Sequence, residues 1–421
     1  MQTWIRWLLT ALLCTPAAAQ ADLWVIDDDV GPGVDFATVQ AGVDAAQSGD
    51  ALLIRDGHYV ETVKVTAKSL LVIAEPGAVI EHSSGVTVPA IEVSDLGAGQ
   101  CVTVLGGQFL GPDPTAAQAP AIAVTNCAGP VWCEGVDGYG RFGLEAVDSP
   151  FTAVIGSALE GTPSTGLFLP AMGDALRASG TATAFVFDSA LIGAVGVGSG
   201  CTPGIGCQPA PANGGHGARL RDAARLAAFG SLVQGGFGGN GQFDCAPNWA
   251  PGGGGDGGNA VFLDGPRAGA ALFDCELIAG LGGDGSCVGM DAELVAGPGS
   301  SWVTSGEARS LSSTTPVREG ETVALVFSGV PGDFVFGLAA PSPLLLELVG
   351  FVGPLAVAAP ILIQPIGRLP ASGTFELTWT VDTLPPELEV LVRYLQGLFV
   401  STSGDLFLSA PTALVVLDET F

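Results

Sequence analysis

The sequence predicts an all-β protein: a right-handed parallel β-helix, or solenoid of short strands, followed by a small antiparallel β-sandwich. Three observations predict it. A degenerate pattern of apolar, small and glycine residues recurs from residue 104 to residue 280. Long Gly-rich inserts separate its later copies. Beyond residue 320 the cysteines stop and short apolar runs alternate with turn residues. The 421 residues include 63 Gly and 29 Pro, but hydrophobic residues at 48% exclude a disordered chain.

Residues 1–20 read as a signal peptide. Arg6 is its basic part, Trp7 to Leu13 its apolar part, and Ala17-Ala18-Ala19 its cleavage site. Leu13 before Cys14 argues against a lipoprotein signal. The mature chain is expected to begin near Ala21 and to be secreted or extracytoplasmic, at the cell surface or in a periplasm.

DLWVIDDDV predicts a strand. In FATVQAGVDAA, Phe36, Val39, Val43 and Ala46 fall at helical spacing, with Asp35 as the expected cap and Ser48-Gly49-Asp50 as the stop. ALLIRDGHYVETVKV predicts two strands around Asp56-Gly57, and SLLVIAE and AVIEHS two more. The run DFATVQAGVDAAQSGDALLIRDGHYVETVKV resembles the amino-terminal start of right-handed parallel β-helix proteins of the pectin-lyase-like superfamily, over about residues 22–82. The resemblance implies that the helix covers the open end of the first coil, where unpaired strand edges and apolar interior meet water.

The repeat follows as VLGGQFLG, VWCEGVDG, VIGSALEG, VFDSALIG, AFGSLVQG and LFDCELIAG, starting 27, 23, 32, 42 and 44 residues apart. The shortest interval suits one coil. The longer ones place insertions after the closing Gly. A second strand (AIAVTN, GLEAVDS, ALRASG, GARLRD, NAVFLDG) precedes most copies. The β-helix is assigned to 22–300, a polar linker to 301–320 and the sandwich to 321–421. VREGETVALVFSGVPGD and LSAPTALVVL resemble carboxy-terminal β domains of secreted bacterial proteins, particularly those of planctomycetes. The apolar stretch 344–363 contains Glu347, the Gly353-Pro354 break and Pro360, and no basic cluster flanks it. It predicts two buried strands, so no transmembrane helix is expected in the mature chain.

Eight cysteines remain beyond the leader: Cys101, Cys127, Cys133, Cys201, Cys207, Cys245, Cys275 and Cys287. An even number in an exported chain predicts disulfides that staple the Gly-rich loops, with the pairing open. Cys201 with Cys207, Cys245 with Cys287, and Cys101 with Cys127 are compatible in position.

Lys and Arg number 14 against 42 Asp and Glu, a formal charge of −28. Nucleic acid is thereby excluded as a partner, and anionic membrane is disfavoured. The only lysines are Lys64 and Lys68, which removes lysine-based catalysis from the rest of the chain. Pectinesterase, polygalacturonase and lyase activities are what the superfamily resemblance implies. Asp188 and Asp274 hold equivalent coil positions without the motifs that accompany pectinesterase carboxylates, and read as acceptors for turn amides. Gly215-His216-Gly217, with Arg219 and Arg221 nearby, matches one polygalacturonase motif alone. Arg177, Arg219, Arg225 and Arg267 fall on successive coils and would form a row on one face. GGDGGNAVF nearly matches a calcium nonapeptide, which makes Asp244, Asp256 and Asp284 candidates for Ca²⁺. Trp249 is placed for sugar stacking. No catalytic residue is assigned. The expected function is a non-catalytic extracellular protein, glycan-binding or structural, with a polysaccharide or cell-envelope glycan as partner and His216, Asp244, Trp249, Asp256 and Asp284 as loop candidates. The alternative is a polysaccharide-active lyase or hydrolase.

Overall fold

The computed structural model describes residues 21–29, 31–82, 88–112, 119–162, 173–198, 212–240, 254–284 and 288–421, and the backbone of 201–202 and 206–207. Three long parallel sheets wind into a β-helix, right-handed as parallel crossovers require. Face 1 has ten strands, from Leu23–Ile26 to Ser300–Thr304. Faces 2 and 3 have eight each, beginning with Gly57–Val60 and Val63–Thr66. Equivalent residues stack coil upon coil. Val104, Cys133, Val154, Val186, Ala228 and Leu272 make one inward column of face 1. Cys133 rather than Val131 occupies that column, so the copy read from residue 131 begins two residues early.

The small-or-Asp position of the repeat is the corner from face 1 to face 2. Gly106, Gly135, Gly156, Asp188, Gly230 and Asp274 all take positive φ there. Asp, which takes Gly's place at two of these corners, is among the non-glycine residue types that tolerate positive φ best. Asp274 Oδ2 accepts the Ala308 N–H at 2.6 Å.

The amino-terminal helix, α1, spans Val39–Ala45. Its cap is Thr38, whose Oγ1 accepts the Ala41 N–H. The expected cap, Asp35, instead accepts the Val25 N–H at 2.9 Å, because the chain is still extended at that point. Glu61 accepts the N–H groups of Val39 and Gln40, and Lys68 Nζ donates to the carbonyls of Val43 and Ala46. The Gln40 side chain bonds both backbone groups of Lys64, closing the first edge of face 3. Val39, Val43 and Ala46 lie in the same apolar cluster as Ile26 and Leu52.

The insertions leave between faces 2 and 3, and the described parts of their Gly-rich runs pack into hydrogen-bonded layers. Residues 193–198, 235–240 and 280–284 run side by side, bonded Gly196 N to Phe237 O and Gly238 N to Leu281 O. Residues 212–217, 254–259 and 289–292 form a second layer through Gly214 N to Asp256 O and Gly257 N to Met290 O. Further bonds tie the layers, such as Gly236 N to Gly215 O and Gly258 N to Gly236 O. The backbones touch directly. A Cβ on Gly236 would lie 1.8 Å from the Ala194 carbonyl oxygen. Glycine is required here by close approach rather than by flexibility.

Cys101, Cys127, Cys133 and Cys275 are free thiols, which corrects the expected disulfides for those four. Two of them take the place of serine in side-chain ladders. Ser157, Ser189 and Ser231 each bond the carbonyl two residues back and accept the N–H of the preceding coil. Cys275 continues that column through Phe273 O at 3.4 Å. At the opposite corner Cys127 bonds Thr125 O, next to Ser149. Cys133 points into the solenoid core. Cys201 pairs with Cys207 in a two-stranded antiparallel ribbon. Cys245 and Cys287 lie outside the described residues.

Beyond the solenoid, Ser310–Ser313, Thr322–Ser328 and Thr374–Thr380 form one antiparallel sheet. A larger sheet carries Thr412–Leu417, Val390–Val400, Phe334–Ala340 and Leu362–Arg368. Leu311, Val323 and Phe327 of the first share a buried cluster with Val335, Phe399 and Leu414 of the second. Half of the expected linker is strand: Ser300–Thr304 is the last strand of face 1, and Ser310–Ser313 and Val317–Arg318 belong to the carboxy-terminal sheets. Residues 344–363 run through several short strands, and among the described residues no helix is long and apolar enough to cross a membrane.

The other side of the larger sheet lies on the outer surface of face 1. Leu53, Ile73, Leu105, Trp132, Ile155 and Phe187 are buried in one cluster with Leu338, Tyr394, Ala413 and Val415. Trp132 and Tyr394 meet edge to face at 5.1 Å. Face 1 is therefore apolar on both sides, and it carries no open groove where the carboxy-terminal sheet covers it.

Candidate functional site

Where the carboxy-terminal sheet meets the corner of faces 1 and 2, a cleft of about 690 Å³ remains open. One wall is the corner itself. Glycine at 106, 135 and 156 keeps that wall low, and Gln108, Asp137 and Asp188 stand along it. The other wall comes from Leu311, Ser312, Ser313, Thr315, Pro411 and Thr412. Glu134 lies at the junction.

Glu134 ends the strand Val131–Glu134 with its side chain outward. Trp132 Nε1 donates to its Oε2 at 2.9 Å, the Ala413 N–H to the same oxygen at 2.8 Å, and Thr412 Oγ1 to Oε1 at 2.6 Å. Burial pushes its pKa up to about 6, and these three bonds oppose that rise. Glu134 is thus a clamp between the two domains, with its acceptor capacity largely used.

Gln108 and Asp137 begin adjacent strands of face 2 and pair in register. Their side chains rise from one column, where Ala158, Ala190 and Leu232 follow on later coils. Burial raises the Asp137 pKa. Asp188 is a corner residue with φ 47°. It keeps solvent exposure as a whole, but its carboxyl faces the crowded cleft. Loss of solvent, and secondarily the Asp274 carboxylate, raise its pKa to about 6. Gly230 makes room between the two acids, since a Cβ there would lie 2.6 Å from Asp188 Oδ1. Among the described residues, no side-chain hydrogen bond or ion pair engages Gln108, Asp137 or Asp188. Three polar side chains therefore face one cleft with their bonding capacity free.

The residues singled out from sequence lie elsewhere. His216 is buried in the second glycine layer, where Nδ1 accepts the Asn259 N–H at 3.0 Å and its own N–H donates to Asp174 Oδ1. Its ring stacks on Phe262 at 4.7 Å, and burial lowers its pKa. Asp256 accepts the Met290 N–H and donates its own to Asn213 Oδ1. Asp284 donates its N–H to Asn240 Oδ1. These residues form rungs of the glycine layers. Asp244 and Trp249 lie outside the described residues. No group of three His, Cys, Asp or Glu side chains suited to a metal occurs among the described residues. Arg177 and Arg219 do stack on adjacent coils, but Arg225 belongs to face 1 and Arg267 to a turn.

Sequence reading passed over Gln108, Asp137 and Glu134, although all three lie in quoted copies of the repeat. For Gln108 and Asp137 the available signal was a polar residue two places after the corner glycine, where the next three copies carry Ala158, Ala190 and Leu232.

No protein-family model and no curated protein matches the chain. Among solved structures it is similar to a pectin methylesterase in complex with a hexasaccharide, at 13% identity over 59% of this chain and 81% of that one, TM-score 0.31. It is also similar to the enzymatically active domain of bacteriophage CBA120 tailspike protein 2, at 10% identity over 93% and 76% of the two chains, TM-score 0.28.

Proposed function

We propose that the protein is an exported, non-catalytic glycan-binding protein, and that an uncharged saccharide occupies the cleft between the β-helix and the carboxy-terminal sheet. The observation that carries this reading is the set Gln108, Asp137 and Asp188, which line one cleft without internal bonds. Carboxylate and amide groups at fixed spacing suit sugar hydroxyls, which donate and accept at once. The net charge of −28 disfavours acidic chains. Export is the expectation from residues 1–20, which lie outside the described residues.

A glycan array of neutral and acidic polysaccharides with the mature chain tests the reading, followed by calorimetry on any hit. Asp137→Ala together with Asp188→Ala is expected to weaken binding about tenfold or more, the worth of one or two lost hydrogen bonds. Absence of any array signal, or a hit indifferent to both substitutions, overturns it. The presence of two carboxyls with raised pKa in one cleft favours a second reading, a hydrolase with Asp188 as the proton donor. Release of new reducing ends that Asp188→Asn abolishes would establish that reading instead.

A further inference from the structure

The two ends of the solenoid are finished differently. At the amino end α1 lies over the first coil, and Gln40 occupies the free backbone groups of Lys64. At the other end the strands Glu276–Ile278, Val295–Ala296 and Ser300–Thr304 are the last of faces 2, 3 and 1, each paired on one side alone. Val303 stacks in register on Leu272 in the inward column, yet it is 57% exposed. Leu277 and Val295 beside it are only partly buried. Trp302 at 75%, Met290 at 71% and Leu294 at 50% exposure add apolar surface nearby. Here an inward-facing residue meets water because no coil follows it. Open strand edges over apolar interior are what solenoids ordinarily cover.

We infer that this end of the β-helix is an interface for a second copy of the chain, in a closed two-fold dimer with the two solenoids end to end. Three short free edges around an apolar core are matched in shape by another solenoid end of the same cross-section. The amino end cannot serve, because α1 and Gln40 occupy it. The exposed end must therefore meet its own counterpart, and a contact of that kind closes at two copies. Val295–Ala296 and Ser300–Thr304 carry no charge, in a molecule whose acidic surface elsewhere keeps copies apart. Glu276 and Glu293 near the end repel their counterparts, so added salt strengthens the dimer.

Sedimentation equilibrium of the mature chain, over a range of concentration and salt, tests the inference. The expected result is a mass that doubles with concentration and doubles sooner in salt. Val303→Asp is expected to raise the dissociation constant about tenfold or more, since each copy would bury an unpaired charge. Val60 is 57% exposed on the first strand of face 2, and Val60→Asp is expected to leave dimerisation unchanged. Both substitutions lie at exposed positions, and circular dichroism melts check that each variant is folded. A monomer at every concentration and salt overturns the inference. So does a dimer indifferent to Val303→Asp, or a series of growing polymers.

Discussion

Glu134 shows how one side chain carries two consequences. Its carboxylate accepts three hydrogen bonds, two of them from the carboxy-terminal domain. Glu134→Ala strands those donors and is expected to cost about 3 kcal/mol in chemical denaturation. Its folded pKa of about 6 lies above the ordinary 4.5, so the folded state binds the proton more tightly than the unfolded chain does. Its contribution to stability is therefore full below pH 4.5 and is lost as pH rises through 6, about 2 kcal/mol in all. Glu134→Gln removes that titration, so melting temperatures between pH 5 and 7 should vary less in the variant than in the parent. Asp188 acts in the same direction but is only partly shielded from water, so some slope should remain. None of these residues was legible as functional in the sequence. Glu134, Gln108 and Asp137 are single polar letters within a degenerate repeat. Their significance depends on which wall of the fold a distant segment comes to cover.

At the level of elements, the succession of coils was legible because the repeat records the stacking period directly, although the copy read from residue 131 starts two residues early. The glycine layers were not. Their signal is a period of three, written as Asn213-Gly-Gly-His216, Phe237-Gly-Gly-Asn240, Asp256-Gly-Gly-Asn259 and Leu281-Gly-Gly-Asp284. Two glycines face neighbouring backbone while the third residue carries the side chain, exposed at Phe237, Asn240, Leu281 and Asp284 and buried at His216, a spacing that suits extended three-fold chains. Gly236→Ala should accordingly destabilise by about 3 kcal/mol or more in urea titration, through contact with the Ala194 carbonyl. Gly156→Ala meets no atom within 4 Å and pays only for its positive φ, about 1 kcal/mol. The thiols differ from expectation for a related reason. Cysteine and serine fill the same rung, and spacing alone does not distinguish a rung from a bridge. Cys275→Ser should change stability by less than about 0.5 kcal/mol, because the bond to Phe273 is kept. Denatured but unreduced protein should titrate for at least the four thiols Cys101, Cys127, Cys133 and Cys275.

At the level of the molecule, both halves were legible from sequence but their union was not. The trace was present in the strands. Face 1 reads as unbroken apolar runs such as Ala51–Ile54 and Leu70–Ala74, buried throughout, whereas Val63–Thr66 and Ile91–Ser94 of face 3 alternate. Unbroken runs mark a sheet covered on both sides. A chain ending at Thr304 should therefore expose Leu53, Ile73, Trp132 and Phe187 together, and should bind a hydrophobic dye or aggregate where the longer chain does not. The same docking sets a schedule for synthesis. Leu23 in the first strand donates its N–H to Glu389, a partner 366 residues away, while Glu134 waits for Thr412 and Ala413. A ribosome releases these partners long after the coils they bind. Coils that wind early must hold a greasy flank open until then, which makes the nascent solenoid a slow folder and a natural client for chaperones.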